Sequence, residues 1–405
     1  MAGKDLGKMK QAMGPVGLVI PADARAGVVA PKPDAVWKFR DGSARVWYGK
    51  GNNGIVRPVL LADGFNMGPT DFDWLWEGLD SDPYRFITQL RDRQRDVVLI
   101  GFNERSESIL VNAEVAKEAI MRAMAERMGD ERLVVGGFSM GGLVTRLALA
   151  QLETQRIDHQ TGVYLSFDSP HRGASVPIAL QAIAHHLAPV DDTLARQINS
   201  PASRELLWRH LETVDGTPRV DPARRKFLEA LERAGGWPQI PRLIGVANGV
   251  GDGRHNGIAP GVEALRSSGP YLTDTVLYTQ AGGRDRLVAD LRGLLGERKI
   301  TTNDFPDIDG APGGTLDSFG ILADALKEIG EGLDVAHRTA CFVPSVSAVS
   351  VRGVETNDDL YVDINALPPE QSDLDDFLCS SRPTPHTAMT EELGQWIVDR
   401  VAISR

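Results

Sequence analysis

Short apolar runs alternate with amphipathic stretches through the first half of the chain. Two β-type runs, 35–39 (AVWKF) and 44–48 (ARVWY), flank Arg40-Asp41-Gly42-Ser43, and an Asp-Gly turn between alternating runs predicts a hairpin. Four further apolar runs predict strands at 57–62 (RPVLLA), 96–101 (DVVLIG), 132–136 (RLVVG) and 162–167 (GVYLSF). Between them, apolar residues recurring at every third and fourth position predict helices over 111–128 and 143–152. Near-continuous apolar strands separated by helices are the pattern of a parallel sheet covered on both faces.

From 176 to 236 the pattern changes to successive amphipathic helices, over 178–187, 192–197, 203–212 and 222–233, with no strand between them. Such a block between sheet strands reads as a cap or lid over the carboxyl edge of the sheet, where ligands bind in open α/β folds. The strand pattern resumes at 242–247 (RLIGVA). A hairpin is expected at 275–280 with a partner near 287–291, then a loop over 304–314, a helix over 318–329, a short strand near 340–343 and a last helix over 390–401. The organisation expected is therefore an N-terminal extension (1–34), an α/β core (35–175 and 237–405) and a helical cap insertion (176–236).

The chain has 405 residues and a formal charge of −11, from 55 acidic and 44 basic residues without a basic stripe. Nucleic acid and anionic membrane surfaces are therefore not expected partners. No window approaches the roughly 18 apolar residues of a membrane helix, and the basic start of the chain is too weakly followed by apolar residues for a secretory signal. A cytoplasmic protein is the default expectation, with secretion after processing left open. Cys341 and Cys379 allow one disulfide but no framework, and neither has a metal-ligand spacing.

The chemistry concentrates at Gly137-Phe138-Ser139-Met140-Gly141, a G-x-S-x-G motif with a strand before it and a helix after it. A strand turning abruptly into a helix holds the serine in a strained conformation with its hydroxyl exposed, and side chains in place of the two glycines would collide with neighbouring backbone. The new helix also points unpaired N–H groups at the reaction centre. With these residues, and with Asp63-Gly64-Phe65 and Ser169-Pro170-His171-Arg172-Gly173, the chain resembles the α/β-hydrolase superfamily, and within it the bacterial lipase- and esterase-like serine hydrolases. The resemblance covers about 57–175 and the C-terminal histidine region. It implies an α/β-hydrolase fold and a triad in the order Ser, acid, His.

Ser139 is the expected nucleophile. His386, in Arg382-Pro383-Thr384-Pro385-His386-Thr387 before the last helix, is the expected base, because an imidazole both takes up and returns a proton near neutral pH. His171 competes by motif, but in the resembling lipases that position is structural. Asp168 and Asp252, each after a predicted strand, compete as the acid; Asp168 is preferred because its strand is the better defined. The backbone N–H groups of Met140 and Phe65 are the expected oxyanion donors. Met67, Phe72, Trp74, Leu75 and Trp76 are candidates for an acyl pocket or for core packing. No phosphate loop, dinucleotide fingerprint or metal cluster calls for a cofactor. The expected activity is hydrolysis of a carboxylic ester or thioester through an acyl-enzyme, on a small-molecule acyl substrate. An acyltransferase using the same triad and a non-catalytic binding protein of the same fold are the alternatives.

Overall fold

The computed structural model describes residues 27–402 except 329 and 355. In chain order the first strands are β1 (Ala35–Lys38), β2 (Gly42–Trp47), β3 (Pro58–Ala62), β4 (Asp96–Phe102), β5 (Leu133–Phe138), β6 (Thr161–Phe167) and β7 (Arg242–Ala247). Helices α1 (Phe72–Leu79), α2 (Phe86–Asp92), α3 (Ile109–Glu126) and α4 (Met140–Thr154) lie between them. A helical block follows β6: α5 (Ile178–Leu187), α6 (Thr193–Ile198), α7 (Pro201–Leu206) and α8 (Pro222–Arg233). After β7 come β8 (Glu263–Ser267), β9 (Val276–Tyr278), β10 (Arg286–Leu291), β11 (Arg298–Thr302), β12 (Gly313–Leu316), α9 (Ser318–Glu328), β13 (Leu333–Val335), β14 (Ala340–Pro344), β15 (Asp376–Cys379) and α10 (Glu391–Val401).

The central sheet has the order β1-β2-β4-β3-β5-β6-β7-β15. β1 with β2, and β2 with β4, are antiparallel; the remaining pairs are parallel. The two-residue period of the strands sorts side chains between two cores. Leu60, Ala62, Val98, Ile100 and Val135 meet Ala116 and Ile120 of α3 and Leu143 and Leu147 of α4 on one face. Val59, Leu61, Val97, Leu99 and Val134 meet Leu75 of α1, Phe86 and Leu90 of α2, and Leu393 and Ile397 of α10 on the other. The predicted hairpin at the N-terminal edge and the parallel sheet are thus present, and the chain has the α/β-hydrolase fold.

One expectation needs correction. The span 237–405 is not continuous core: between β7 and β15 the chain leaves the sheet and builds an antiparallel five-stranded sheet of its own, β11-β10-β9-β8-β13, with β12 and β14 forming a separate pair. The expected hairpin is there as β9 and β10, but as the middle of this second sheet, against which α5 packs. Cys341 and Cys379 are both free thiols. Among the described residues no helix is long and apolar enough to cross a membrane.

Candidate active site

β5 ends at Phe138 and α4 starts at Met140, so Ser139 alone makes the turn, with φ 52° and ψ −122°. A non-glycine residue held there costs about 1–3 kcal/mol, which surrounding structure must offset. It does so with a hydrogen bond from Ser139 N to Phe167 O (2.9 Å) and with close backbone packing. A Cβ on Gly137 would stand 2.3 Å from the Gly141 carbonyl carbon, and one on Gly141 would stand 2.2 Å from Ala62 O. The two glycines of the motif are therefore required by space. Ser139 is buried, and its Oγ has no hydrogen-bond partner among the described residues.

Asp168 terminates β6 and is fully buried. Its Oδ1 accepts from Asn248 N at 3.0 Å and its Oδ2 meets His386 Nδ1 at 2.7 Å. A carboxylate at Nδ1 fixes the proton there, which leaves Nε2 as the basic nitrogen. Nε2 is buried and without a hydrogen-bond partner among the described residues. The imidazole is further placed by His386 N donating to Thr315 O (2.8 Å) and by the Phe342 ring, 4.8 Å away edge to face.

Asn248 ties the acid to the histidine loop: while its backbone N–H serves Asp168, its Nδ2 donates to Thr384 Oγ1 (2.8 Å) and Ala388 O (3.0 Å). Gly314 on β12 leaves the acid its room, since a Cβ there would stand 2.1 Å from Asp168 Oδ2. Neither Asn248 nor Gly314 was singled out from sequence. Asp252, the alternative acid, is not at this site; its carboxylate is engaged by Arg254 at 2.6 Å.

Met140 is the first residue of α4, and Phe65 lies on the loop after β3, both buried. That loop passes beside the serine, because a Cβ on Gly64 would stand 3.4 Å from Ser139 Cβ. Asp63 braces the loop. It accepts from Gly64 N (2.7 Å) and Thr70 Oγ1 (2.8 Å), and buried Arg105 lies 3.6 Å away.

A cavity of about 290 Å³ opens onto Ser139 and His386. Its walls come from the loop after β3 (Phe65), from α1 (Trp74, Leu75, Gly78, Leu79), from Phe138, and from Leu316 and Asp317 at the end of β12. Of the five pocket candidates only Trp74 and Leu75 line it; Phe72 and Trp76 are core and Met67 is exposed. No residue of 176–236 lines it, which corrects the expectation that the helical block covers the site. The block packs elsewhere, α7 on α3 and α5 on the second sheet.

Three other histidines are engaged away from the cavity. His171 is held by Ser166 Oγ (2.8 Å) and Arg146 Nη1 (3.3 Å), His185 by Leu211 O (2.6 Å), and His210 by Asp221 (3.0 Å). Among the described residues no group of three or more His, Cys, Asp or Glu is placed to hold a metal.

No family model and no curated protein matches the sequence. Among solved structures, the chain is similar to the mature form of the Bacillus licheniformis lipase BlEst2, at 12% identity over 51% of this chain and 73% of that one, with a TM-score of 0.30. It is similar to a Pyrobaculum calidifontis esterase at 11% identity over 60% and 70%, with a TM-score of 0.32. It is also similar to a bifunctional GH43-CE protein of Bacteroides eggerthii at 12% identity over 93% of this chain and 37% of that one, with a TM-score of 0.40. The strand order of the central sheet and the serine turn after β5 define the fold.

Proposed function

We propose that the chain is a serine hydrolase of carboxylic esters or thioesters. The observation that carries this reading is the convergence of two unpartnered buried atoms, Ser139 Oγ and His386 Nε2, on one apolar cavity, with Asp168 fixed 2.7 Å behind the imidazole. In the proposed reaction His386 Nε2 takes the proton of Ser139 Oγ as the hydroxyl attacks the acyl carbonyl. Asp168 stabilises the imidazolium so formed, and the N–H groups of Met140 and Phe65 stabilise the oxyanion. His386 returns the proton to the leaving alcohol or thiol, and water then resolves the acyl-enzyme by the same route. The mostly apolar walls suit an acyl chain better than a polar group.

Labelling with a fluorophosphonate probe tests the proposal. Covalent capture is expected at Ser139 and is expected to vanish in Ser139→Ala. Folded protein that takes up no label would overturn it.

A further inference from the structure

Arg146 lies on α4, on the side of the fold away from the acyl cavity, and is 8% exposed. Among the described residues no carboxylate lies within ion-pair distance of it. Nε donates to Gly236 O at 2.7 Å, Nη1 meets His171 Nδ1 at 3.3 Å, and the guanidinium sits 3.5 Å from the centre of the Trp237 ring. Nη2 makes no hydrogen bond to a described residue. Burial pushes Arg146 down to about 9, so it stays charged at neutral pH. Burial, then Arg146 and Arg172, push His171 well below the ordinary imidazole range, so that ring adds neither charge nor countercharge.

Arg172 lines the same cavity, of about 320 Å³. Its Nη2 donates to Asp373 Oδ2 at 2.7 Å, but Asp373 also accepts from Arg352 Nε at 2.7 Å and from Ser350 Oγ at 2.8 Å. Arg224 is buried behind Gly173, its Nη1 donating to the carbonyls of Glu205 (2.8 Å) and Leu206 (3.2 Å). Glu232, the one acid on the cavity lining, is exposed and beyond ion-pair distance of both Arg146 and Arg172. In a chain with a net charge of −11, Arg172 and Arg352 thus share the one carboxylate of Asp373, while Arg146 and Arg224 stand buried without an ion-pair partner among the described residues. An uncompensated buried charge costs several kcal/mol, and an anion supplied from outside removes that cost.

We propose that this cavity binds a small oxyanion, a phosphate or carboxylate group, between Arg146 and Arg172. Guanidinium donors match two oxygens of such a group, and Nη2 of Arg146 is the donor left for it.

The test is a titration of the full chain with inorganic phosphate and, separately, with acetate, at constant ionic strength made up with chloride. The readouts are thermal unfolding and calorimetry. A saturable rise in Tm with at least one of the two is expected, and the one that saturates identifies the group. Arg146→Met, which keeps contact with Trp237, is expected to abolish saturation, and Arg172→Gln, at an exposed side chain, to weaken affinity at least tenfold. Near-UV circular dichroism reports whether each variant is folded. No saturation in the unaltered chain, or equal rises in both variants as a general salt effect would give, would overturn the proposal. Should Arg146→Met fail to fold, wild-type affinity in Arg172→Gln overturns it alone.

Discussion

At the scale of single residues, the site depends on positions that hold Asp168 against His386. Removing the carboxylate while keeping its shape, as Asp168→Asn, leaves the imidazole without an anion behind its charged form and favours the wrong tautomer. On the proposed reading kcat falls by about 10³–10⁴-fold, measured on a p-nitrophenyl ester. Asp252→Asn, altering a carboxylate engaged by Arg254, is expected to leave kcat within about twofold. Gly314→Ala separates position from chemistry: its methyl group would stand 2.1 Å from Asp168 Oδ2, so the acid must shift. Loss of about 100-fold in kcat is expected with near-UV circular dichroism unchanged, since a misplacement of about 1 Å has that consequence. Wild-type kcat in Gly314→Ala would show that the acid tolerates displacement. The serine turn was legible from Gly137 and Gly141 because its constraints are local. The sequence favours Asp168 over Asp252 only by the definition of its strand, because Asp168 and His386 are 218 residues apart and Gly314 enters from an excursion that no local pattern announces.

At the scale of elements, α1 forms a wall of the cavity at Ser139. Phe72, Leu75, Trp76 and Leu79 follow the helical period and are buried, and Asp71 caps the helix by accepting from Asp73 N and Trp74 N. That pattern stands in the sequence, but aromatic residues at this spacing serve a pocket wall and a core equally well. β15 is harder to read: four half-buried residues give no usable period, and the strand exists through its register with β7, Phe377 opposite Gly245. The helical block was legible as helices but not in its placement, which α5 acquires from the second sheet. On α1, Gly78 lines the cavity at Ser139, and a Cβ built there meets nothing within 4 Å. Glycine inside a helix costs about 1 kcal/mol relative to alanine. Gly78→Ala is therefore expected to raise stability by about 0.5–1 kcal/mol in urea unfolding. Gly78→Phe projects a ring into the cavity and is expected to lower kcat/KM for a decanoyl ester at least tenfold more than for an acetyl ester. Equal losses on both would mean that α1 does not meet the acyl chain.

At the scale of the whole molecule, the second sheet brings its own dependence on pH. Asp309, on the turn between β11 and β12, is buried; its Oδ2 accepts from Gln280 N at 2.8 Å and its Oδ1 has no partner among the described residues. Burial pushes its carboxyl up to about 7 from 3.8. A raised acid pKa works against the folded state as pH rises. Between about 4 and 7 the unfolded chain gives up this proton while the folded chain keeps it, so the unfolded state binds fewer protons and stability falls with pH. Below that window the group contributes nothing either way; above it the loss is complete, on the order of 4 kcal/mol. Asp309→Asn keeps the shape without the charge, so its stability is expected to lose this slope and to exceed that of the unaltered chain above pH 7. Urea unfolding at half-unit steps from pH 4.5 to 8.5 measures both. The difference between variant and parent, rather than the parent's absolute curve, isolates Asp309, because other carboxylates titrate in both proteins. A difference constant with pH would mean that Asp309 already ionises in the folded chain as freely as in the unfolded one. Because β12 follows this turn and carries Gly314 to Asp168 and Thr315 and Leu316 to the cavity at Ser139, local opening here would reach the site. Fluorophosphonate labelling is therefore expected to slow at alkaline pH in the parent more than in Asp309→Asn.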